Sequence, residues 1–436
     1  MTTHVEHRRL WLLIPQTGGG WAVTGDLSPP TLDLSFSQHG TTVGEAVPAL
    51  EALGVTAPIL EVVIGRAPID GDVYPAVVLT EPVRERPPSW TTAQRPDLTG
   101  LPADLTSAVD RWMQAEPHPG PPWTVPGWYL RASSWIRSSL RDSGRDGSVD
   151  IAPVKQWGIS AVMRASGAGA TYWFKASFAH FRSEAATTAL LQARCPHRLP
   201  GVIAVDPDAR WLLTEDAGGV SMAERLDAAP EAIEALLDIQ MASAPSADEL
   251  VAAGCPRRPI SEVADALAEA LADPVVARRI DVTPEAGTAV ISAVRRAGAH
   301  CGALGFTDTV VHGDFHPGNV RGPADGAAGP LAILDWGDAG VGDPLLDQAA
   351  FLEWVPLPER RRIADLWSDA WRRAVPGCEP DRPSRLLAPV AALRQAVIYR
   401  VFLDRIEPTE RVYHARDPAV WLTRAAELAR RETTGP

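Results

Sequence analysis

In the part of the chain after residue 150, the spacing of apolar residues changes near residue 182, and this change constrains the fold more than any other feature. Between residues 150 and 182, closely spaced segments rich in β-branched and aromatic residues predict strands: VKQWGIS, AVMRA and TYWFKASF. After residue 182, apolar residues recur at helical spacing, as Ile233, Leu236 and Leu237 do. Strands first and helices later predict an α+β fold with two lobes, a small β-rich one and a mainly helical one.

Proline marks a second division of the chain. It is dense between Pro82 and Pro126, where it removes backbone donors and indicates a connecting region, interrupted by a short helix near Asp104 to Met113. Ahead of it, LWLLI, ILEVVI and AVVLT alternate with turn residues around the helix-like VGEAVPALEALGV. We therefore divide the chain into four parts: a small α+β N-terminal domain (residues 1–85), a Pro-rich connector (86–126), a β-rich lobe with a leading helix (127–220) and a helical lobe (221–436).

Length and charge restrict the class of protein. With 436 residues, the chain is too long for one compact core of ordinary size. Its net charge of −13 argues against non-specific nucleic-acid binding and suits a neutral or cationic partner. The run LWLLI is too short for a signal peptide, and no apolar run approaches the length of a membrane span. We expect a cytoplasmic protein that binds neither nucleic acid nor a membrane; its oligomeric state stays open.

The segment VVHGDFHPGNV contains the strongest chemical signal. Asp314 and Asn319 are separated by four residues, as are the aspartate and asparagine of the kinase catalytic loop, which accept the hydroxyl proton and hold Mg²⁺. The chain then returns as LAILDWGDAG, and Asp335 follows an apolar strand-like run. A carboxylate at that place is costly to bury unless a cation compensates it, so Asp335 is a candidate second metal ligand.

Two other metal-dependent hypotheses compete with this one. His312, Asp314 and His316 form an HxDxH set that could hold a transition metal, although the HPGN turn breaks the strand that this geometry needs. The N-terminal helix resembles the Nudix box at Glu51 and Gly54, but the arginine and the further acidic residues of that motif are absent. We expect the N-terminal domain to be non-catalytic.

Lysine is rare in the chain, which makes its positions informative. Lys155 and Lys175 are the only lysines, and Lys175 lies in the strand-prone TYWFKASF, with Glu184 in the helix that follows. Protein kinases place a strand lysine on the nucleotide phosphates and pair it with a helix glutamate. Upstream, Ser160 lies in a turn between two predicted strands, where a hydroxyl and backbone amides can cradle a phosphate.

Taken together, VVHGDFHPGN and AILDWGDAGVGDPLLDQA resemble the aminoglycoside phosphotransferase and choline kinase-like superfamily over residues 150 to 430. This resemblance implies a bilobal, protein-kinase-like fold that binds ATP, or GTP in its place, with Mg²⁺. It implies that Asp314 is the catalytic base and that Asn319 and Asp335 are metal ligands. Lys175 with Glu184, and Ser160, would serve the nucleotide phosphates. The resemblance also places a nucleotide-binding hinge at Glu215, Asp216 and Ala217.

The resemblance also gives roles to residues outside the chemistry. It implies that His312 shapes the loop and that Asp343 and Asp347 hold the loop to the following helix. Acceptor choice would fall to acidic and aromatic groups of the helical lobe. The candidates are Asp338, Glu353, Trp354, Tyr399 and Asp404.

The leading hypothesis is therefore a small-molecule kinase that phosphorylates a hydroxyl of an aminoglycoside, amino sugar or amino alcohol. An alternative is a kinase-like, nucleotide-binding regulatory module that acts through its N-terminal domain, which a simple phosphotransferase does not need. The sequence leaves open the acceptor, the position phosphorylated, ATP against GTP, the role of residues 1–125 and any part in antibiotic resistance.

Overall fold

The structure is a computed structural model that divides into two compact units, one up to Phe178 and one from Ala179 onward. The residues that it describes are 6–36, 43–65, 67–114, 120–223, 226–260, 284–301, 306–324, 331–403 and 414–434, together with 262, 265 and 269. Among them, no helix combines the length and the apolar character that crossing a lipid bilayer requires.

The first unit begins with a four-stranded mixed sheet. Its elements are β1 (Glu6–Leu13), β2 (Trp21–Val23), β3 (Thr31–Phe36), α1 (Val43–Ala52), β4 (Ile59–Ile64) and β5 (Val73–Thr80). The strand order is β3-β1-β5-β4, and β1 and β5 run parallel while the outer pairs are antiparallel. A helix that connects strands in this way is typical of a small α+β domain, as the sequence predicted.

Both faces of this sheet are covered, which explains why its strands carry nearly continuous apolar runs. On one face, Leu10 and Leu12 pack with Leu50 of α1. On the other, Trp11 and Leu13 pack with the helix α2 (Ala103–Met113), which confirms the helix predicted inside the Pro-rich connector. Alternate residues of β1 therefore serve two separate cores.

A second sheet completes the first unit. Strand β6 (Thr91–Ala93) pairs with β2 in a separate two-stranded sheet. Helix α3 (Trp128–Asp142) leads into β7 (Asp150–Gln156), β8 (Ser160–Gly167) and β9 (Ala170–Ser177). These last three strands form an antiparallel meander. Phe174 of β9 is fully buried, and its ring lies 6.1 Å from Trp128 and 5.9 Å from Trp135 of α3. Helix α3 therefore covers the apolar face of the meander.

The second unit is mainly helical. Its helices are α4 (Glu184–Arg194), α5 (Ala229–Ser243), α6 (Ala247–Ala252), α7 (Pro284–Cys301), α8 (Leu345–Trp354), α9 (Arg360–Ala374), α10 (Asp381–Leu403) and α11 (Asp417–Thr434). Its strands are short: β10 (Val202–Asp206), β11 (Trp211–Glu215), β12 (Val220–Ser221), β13 (Thr309–Val311), β14 (Val320–Gly322), β15 (Ala332–Ile333) and β16 (Gly340–Gly342).

One core supports these helices. The predicted stripe of Ile233, Leu236 and Leu237 is buried in it, together with Trp367 and Trp371 of α9. The predicted α+β fold class, with a β-rich part ahead of a helical one, is thus confirmed.

Candidate active site

Two turns of the second unit face each other. The first, residues 312–319, lies between strands β13 and β14, and the second, residues 334–339, lies between β15 and β16. Strand β13 pairs with β16, and β14 pairs with β15. Because the strands that flank one turn pair with those that flank the other, the turns carrying Asp314 and Asp335 must lie together.

Asp347 ties the Asp314 turn to helix α8. Its carboxylate is fully buried and accepts hydrogen bonds from the amides of His312 (2.8 Å) and Gly313 (3.0 Å), and from Nε2 of Gln240 (3.0 Å). Burial raises the pKa of Asp347, while the two amide hydrogen bonds act in the opposite direction. The prediction that Asp347 holds this loop is confirmed.

His312 shapes the turn and is not placed to bind a metal. Its Nδ1 accepts the amide proton of Asp314 (3.3 Å), and its Nε2 lies 2.9 Å from the carbonyl oxygen of Leu334. The proton must therefore be on Nε2, which donates to Leu334. With both ring nitrogens engaged and the side chain buried, His312 cannot complete the HxDxH set, and its predicted loop-shaping role is confirmed.

Asn319 closes the turn by reaching back to its start. Its side-chain Nδ2 donates to the backbone carbonyl oxygen of Asp314 (2.9 Å). The backbone carbonyl oxygen of Asn319 accepts from the amide of Leu334 (2.9 Å). Since the amide nitrogen is used inside the turn, Oδ1 is the end of this side chain that remains for a cation.

The Asp314 carboxylate lies at the open side of this turn. Its side chain is 37% exposed, and Oδ2 is 3.6 Å from Nε2 of His316. Nδ1 of His316 accepts from the amide of Gly318 (3.0 Å), so the imidazole is oriented by the turn itself. The ring of Trp354 packs against His316 at a centroid distance of 5.0 Å. Asp314 is thus accessible, although the backbone around it is fixed.

Asp335 has a backbone conformation that few residues with a side chain adopt. Its φ and ψ are 63° and 65°, in the left-handed region, and it is exposed. Such a conformation costs a non-glycine residue roughly 1–2 kcal/mol, although aspartate tolerates it better than most. Strained residues of this kind concentrate at functional sites, so the observation supports a functional role for Asp335.

Asp338 is the carboxylate of this site with the most perturbed environment. Burial raises its pKa to about 7, and the negative charges of Asp314 and Asp335 act in the same direction. Its Oδ1 is buried and makes no hydrogen bond. Three carboxylates therefore lie close enough to repel one another, and a cation at this place would relieve the repulsion.

Two arginines near Asp338 were not predicted from the sequence. Arg394 of α10 is only 6% exposed and donates through Nη2 to the carbonyl oxygen of Asp338 (3.1 Å). Burial lowers its pKa to about 10, and the positive charge of Arg258 lowers it further. Because almost all positive charge in the chain is arginine, residue type does not mark Arg258 and Arg394 as site residues in the sequence. Their position near Asp338 does.

The donor atoms of this site suit Mg²⁺ better than a transition metal. A carboxylate from Asp335 and an amide oxygen from Asn319 are hard oxygen ligands, which Mg²⁺ prefers, usually together with waters and substrate phosphates. Among the described residues, no group of three or more His, Cys, Asp or Glu side chains is arranged to hold an ion. A magnesium ion here would therefore need phosphate oxygens to complete its coordination.

The predicted acceptor residues have different surroundings. The side chain of Glu353 is 8% exposed, and its oxygens accept from Arg360 (3.2 Å) and Arg424 (2.6 Å), so its charge is already paired. Trp354 is 46% exposed, and burial raises the pKa of Tyr399, with Asp314 contributing. Asp404 lies outside the described residues. Of the predicted acceptor residues, Trp354 and Tyr399 therefore offer aromatic groups near Asp314.

The predicted nucleotide residues fall into both units. In the first unit, Ser160 of β8 pairs with Ser177, and Lys175 of β9 pairs with Val162, so Ser160 and Lys175 lie on the same face of the meander. In the second unit, Glu184 begins α4 and is only 2% exposed.

The segment proposed as a hinge follows strand β11. Glu215 ends this strand, and the amide of Gly218 donates to Oδ1 of Asp216 (3.2 Å). Gly218 and Gly219 have positive φ values of 69° and 62°, so the chain turns sharply just after Ala217.

Three solved structures of phosphotransferases align with part of the chain at low sequence identity. A complex of the aminoglycoside phosphotransferase APH(2")-IIIa with GDP and kanamycin aligns at 15% identity over 70% of this chain and 99% of that chain, with a TM-score of 0.47. Macrolide 2'-phosphotransferase MphH from Brachybacterium faecium aligns at 17% identity over 66% of this chain and 97% of its own, with a TM-score of 0.46. A thermostable mutant of aminoglycoside phosphotransferase APH(4)-Ia aligns at 17% identity over 69% and 100%, with a TM-score of 0.44.

No curated protein gives a significant match to the chain. The model of the phosphotransferase enzyme family, by contrast, matches residues 171–384. This segment starts in strand β9, ahead of Lys175, and contains both facing turns with Asp314 and Asp335. Over residues 171–384 the chain is therefore similar to the phosphotransferase enzyme family.

Proposed function

We propose that this protein transfers the γ-phosphoryl group of ATP, or of GTP in its place, to a hydroxyl of a small molecule, with Mg²⁺ as cofactor. The observation that carries the proposal is the contrast within the Asp314 turn. The backbone of the turn is held by Asp347, His312 and Asn319, whereas the Asp314 carboxylate stays 37% exposed. A general base needs this combination of fixed position and open access.

In this reaction Asp314 accepts the proton of the acceptor hydroxyl as its oxygen bonds to the γ-phosphorus. The bond between that phosphorus and the bridging oxygen breaks, and the nucleoside diphosphate leaves with the bond's electron pair. Asn319 and Asp335 would hold Mg²⁺, which would supply positive charge to neutralise the phosphates. The remaining work of the protein is to position the reactants.

Nucleotide binding is assigned to Ser160 and Lys175, whose shared face suits a polyphosphate, and to Glu184 and the segment Glu215–Ala217. For the acceptor we propose an amine-bearing sugar or amino alcohol. The carboxylates of Asp314, Asp335 and Asp338 favour a cation nearby, and Trp354 and Tyr399 offer aromatic faces to it. We leave Glu353 out of this site because two arginines already pair with it.

An activity screen tests the proposal directly. Purified protein is incubated with γ-labelled ATP or GTP, Mg²⁺ and a library of aminoglycosides, amino sugars, amino alcohols and nucleosides, and labelled products are separated by chromatography. We expect label on at least one compound, and none with Asp314→Asn. If the protein neither binds nucleotide nor yields a labelled product, the proposal is wrong.

One observation favours a second function, that of a nucleotide-binding regulatory module. Gln156, next to the predicted phosphate turn, donates to the carbonyl oxygens of Ile59 (3.0 Å) and Leu60 (2.8 Å) in the N-terminal domain, which could relay nucleotide binding. In that case an Asp314→Asn variant would complement a deletion of the gene as well as the unchanged protein does. An enzyme would lose complementation.

A further inference from the structure

Both lysines of the chain lie on one face of one sheet. In the meander, Lys155 of β7 is the register partner of Val162 in β8, and Val162 is in turn the partner of Lys175 in β9. Directly paired residues of antiparallel strands point to the same side of a sheet. The two lysines therefore occupy one row across three strands, on the side that also carries Ser160.

This face is distinct from the face that packs into the unit. Ala161 and Met163 of β8, and Phe174 and Ala176 of β9, are buried and belong to the opposite side. Lys155, Val162 and Lys175 are instead half-buried. The two lysines thus lie on the face opposite the buried core residues of these strands.

Residue choice at these two positions differs from that in the rest of the chain. Of the 41 lysine and arginine residues, only Lys155 and Lys175 are lysine. Arginine spreads its charge over a planar fork, whereas lysine presents a compact ammonium on a flexible stem. The chain otherwise uses arginine for its positive charge. Two ammonium groups in one row therefore indicate a ligand that binds compact positive charges.

Lys155 is also held in place. Its Nζ lies 3.6 Å from the centroid of the Trp157 ring, within range of a cation–π interaction. Trp157 is itself fixed, because its Nε1 donates to Oγ of Ser160 (2.7 Å) and its carbonyl oxygen accepts from Nε1 of Trp123 (2.9 Å). Gln156 anchors the same strand end to β4. The ammonium of Lys155 therefore lies over the ring of Trp157, whose indole nitrogen is bonded to Ser160 at the start of β8.

We propose that Lys155 is a second phosphate-binding lysine, which acts with Lys175 on the nucleoside triphosphate; this rests on the proposed function. The two strands are separated by one other, so their backbones are roughly 10 Å apart. Side chains of this length can reach successive phosphates of one triphosphate from the two sides. Lys155 then contributes affinity for the phosphates and none for the nucleoside.

Amine labelling of the unaltered protein gives the first test. Brief treatment with acetic anhydride modifies accessible lysines, and mass spectrometry of the digested chain reports Lys155 and Lys175 separately, with protein labelled after denaturation as the reference. We expect ATP with Mg²⁺ to lower the labelling of both lysines, and adenosine to lower neither.

Variants give the second test. We expect Lys155→Met to weaken ATP binding in calorimetry by roughly 10-fold or more, the usual effect of losing a charge-assisted hydrogen bond. Adenosine binding should stay the same, and Lys155→Arg should recover part of the ATP affinity. The matched control is Arg131→Met, which removes an exposed cation from helix α3 of the same unit. Thermal unfolding shows that each variant is folded.

The possible results separate the two proposals. If ATP protects Lys175 alone and Lys155→Met binds ATP as the unchanged protein does, the role of Lys155 is overturned and the proposed function stands. An equal loss of ATP and adenosine affinity in Lys155→Met also overturns it, because the residue would then act on folding or on the nucleoside. If the unchanged protein does not bind ATP at all, both proposals fail.

Discussion

Asp314 and Asp338 are neighbouring carboxylates in contrasting surroundings. Asp314 is 37% exposed at the open side of its turn, whereas burial raises the pKa of Asp338 to about 7. A carboxylate with a strongly raised pKa, such as Asp338, is typical of functional sites. The exposed one is suited to accept a proton from a substrate, and the buried one responds to the charge state of its neighbours.

The role of Asp314 leads to a first prediction. Asp314→Asn removes the proton acceptor but keeps the size of the side chain, so we expect kcat to fall by roughly 10²- to 10⁴-fold. Nucleotide affinity, measured by calorimetry, should change little. The matched control is Asp308→Asn, an exposed aspartate six residues earlier, which should keep full activity. A variant at Asp314 with near-normal kcat would contradict the assignment.

A second prediction concerns pH. Asp338 faces the carboxylates of Asp314 and Asp335 and the guanidinium groups of Arg258 and Arg394. Because its pKa is raised in the folded protein, the folded state keeps a proton that the unfolded chain has lost between about pH 4 and 7. This group's contribution to the free energy of unfolding therefore falls as pH rises through that window.

Asp338→Asn removes the titration that causes this fall. Without Mg²⁺ and nucleotide, we expect the stability of the variant relative to the unchanged protein to increase from pH 4 to pH 8, by up to about 4 kcal/mol. Urea unfolding at several pH values measures the difference. A difference that stays constant with pH would show that Asp338 titrates normally.

At the scale of single residues, the sequence predicted the role of a residue correctly where a motif determines its spacing. Asp347 and His312 belong to continuous motifs, and the structure places both as expected. Arg258 and Arg394 are far from the motif along the chain, and nothing local marks them. Glu353 fits an acceptor role by charge alone, and only the fold reveals its two arginine partners.

At the scale of elements, the Asp314 turn depends on a close approach at Gly313. Its φ is 90°, and a Cβ built there would lie 2.3 Å from the carbonyl oxygen of Asp338 and 2.6 Å from Nη2 of Arg394. Contacts this short to backbone cannot be accommodated without movement of one turn away from the other. The two facing turns thus lie together partly because residue 313 has no side chain.

Gly313→Ala should therefore destabilise the protein and lower kcat together. We expect a loss of roughly 2–4 kcal/mol, from left-handed strain of about 1–2 kcal/mol together with the steric clash. Gly377→Ala is the matched control, because Gly377 has a φ of 88° but no atom within 4 Å of a built Cβ. It should show the strain alone and keep kcat. Equal effects in the two variants would argue against the close approach.

Glu353 joins three helices of the second unit. It lies in α8 and pairs with Arg360 at the start of α9 and Arg424 in α11. Neutralising Glu353 removes a carboxylate partner from both arginines, of which Arg424 keeps Glu427 (3.1 Å). We expect Glu353→Gln to lower the free energy of unfolding by about 3 kcal/mol and to leave the KM for the acceptor unchanged.

The control for this prediction is Glu359→Gln. Glu359 pairs with Arg362 at the surface, where such a pair contributes at most about 1 kcal/mol. Urea unfolding and acceptor kinetics are measured on both variants. A raised KM in Glu353→Gln without loss of stability would return Glu353 to the acceptor site.

Elements with local signals were predictable from the sequence. The meander's second turn combines Ala168 and Gly169 at positive φ, and the small residues of SGAGA in which they lie are typical of a hairpin turn. Strands β13 to β16 are two or three residues long, too short for any periodic pattern, and their pairing depends on contacts between distant parts of the chain.

At the scale of the molecule, the N-terminal domain and the meander share one compact unit. Gly44 of α1 lies so close to β7 that a built Cβ would be 2.9 Å from the carbonyl oxygen of Val154. Gln156 of β7 adds a further connection through its hydrogen bonds to the carbonyl oxygens of Ile59 and Leu60. The sequence suggested a separable domain, because the proline-dense segment looks like a linker, whereas these contacts are tertiary and leave no local trace.

This arrangement predicts joint unfolding. In native-state hydrogen exchange at increasing denaturant, we expect amides of β5 and of β8 to reach the same free energy of opening. If β5 opens with a distinctly lower or higher free energy and denaturant dependence than β8, the N-terminal domain unfolds independently. The strand order of the first sheet, with β1 parallel to β5, was equally beyond the sequence, since it joins segments some 65 residues apart.

The row of two lysines has a practical consequence. A lysine-specific protease has just two cleavage sites in the whole chain, after residues 155 and 175, and both lie in the same meander. Cleavage of the native protein requires these strands to open, so the rate at which three fragments appear measures the local opening of this sheet. The rate of cleavage by such a protease therefore reports whether a bound ligand keeps the strands of the meander closed.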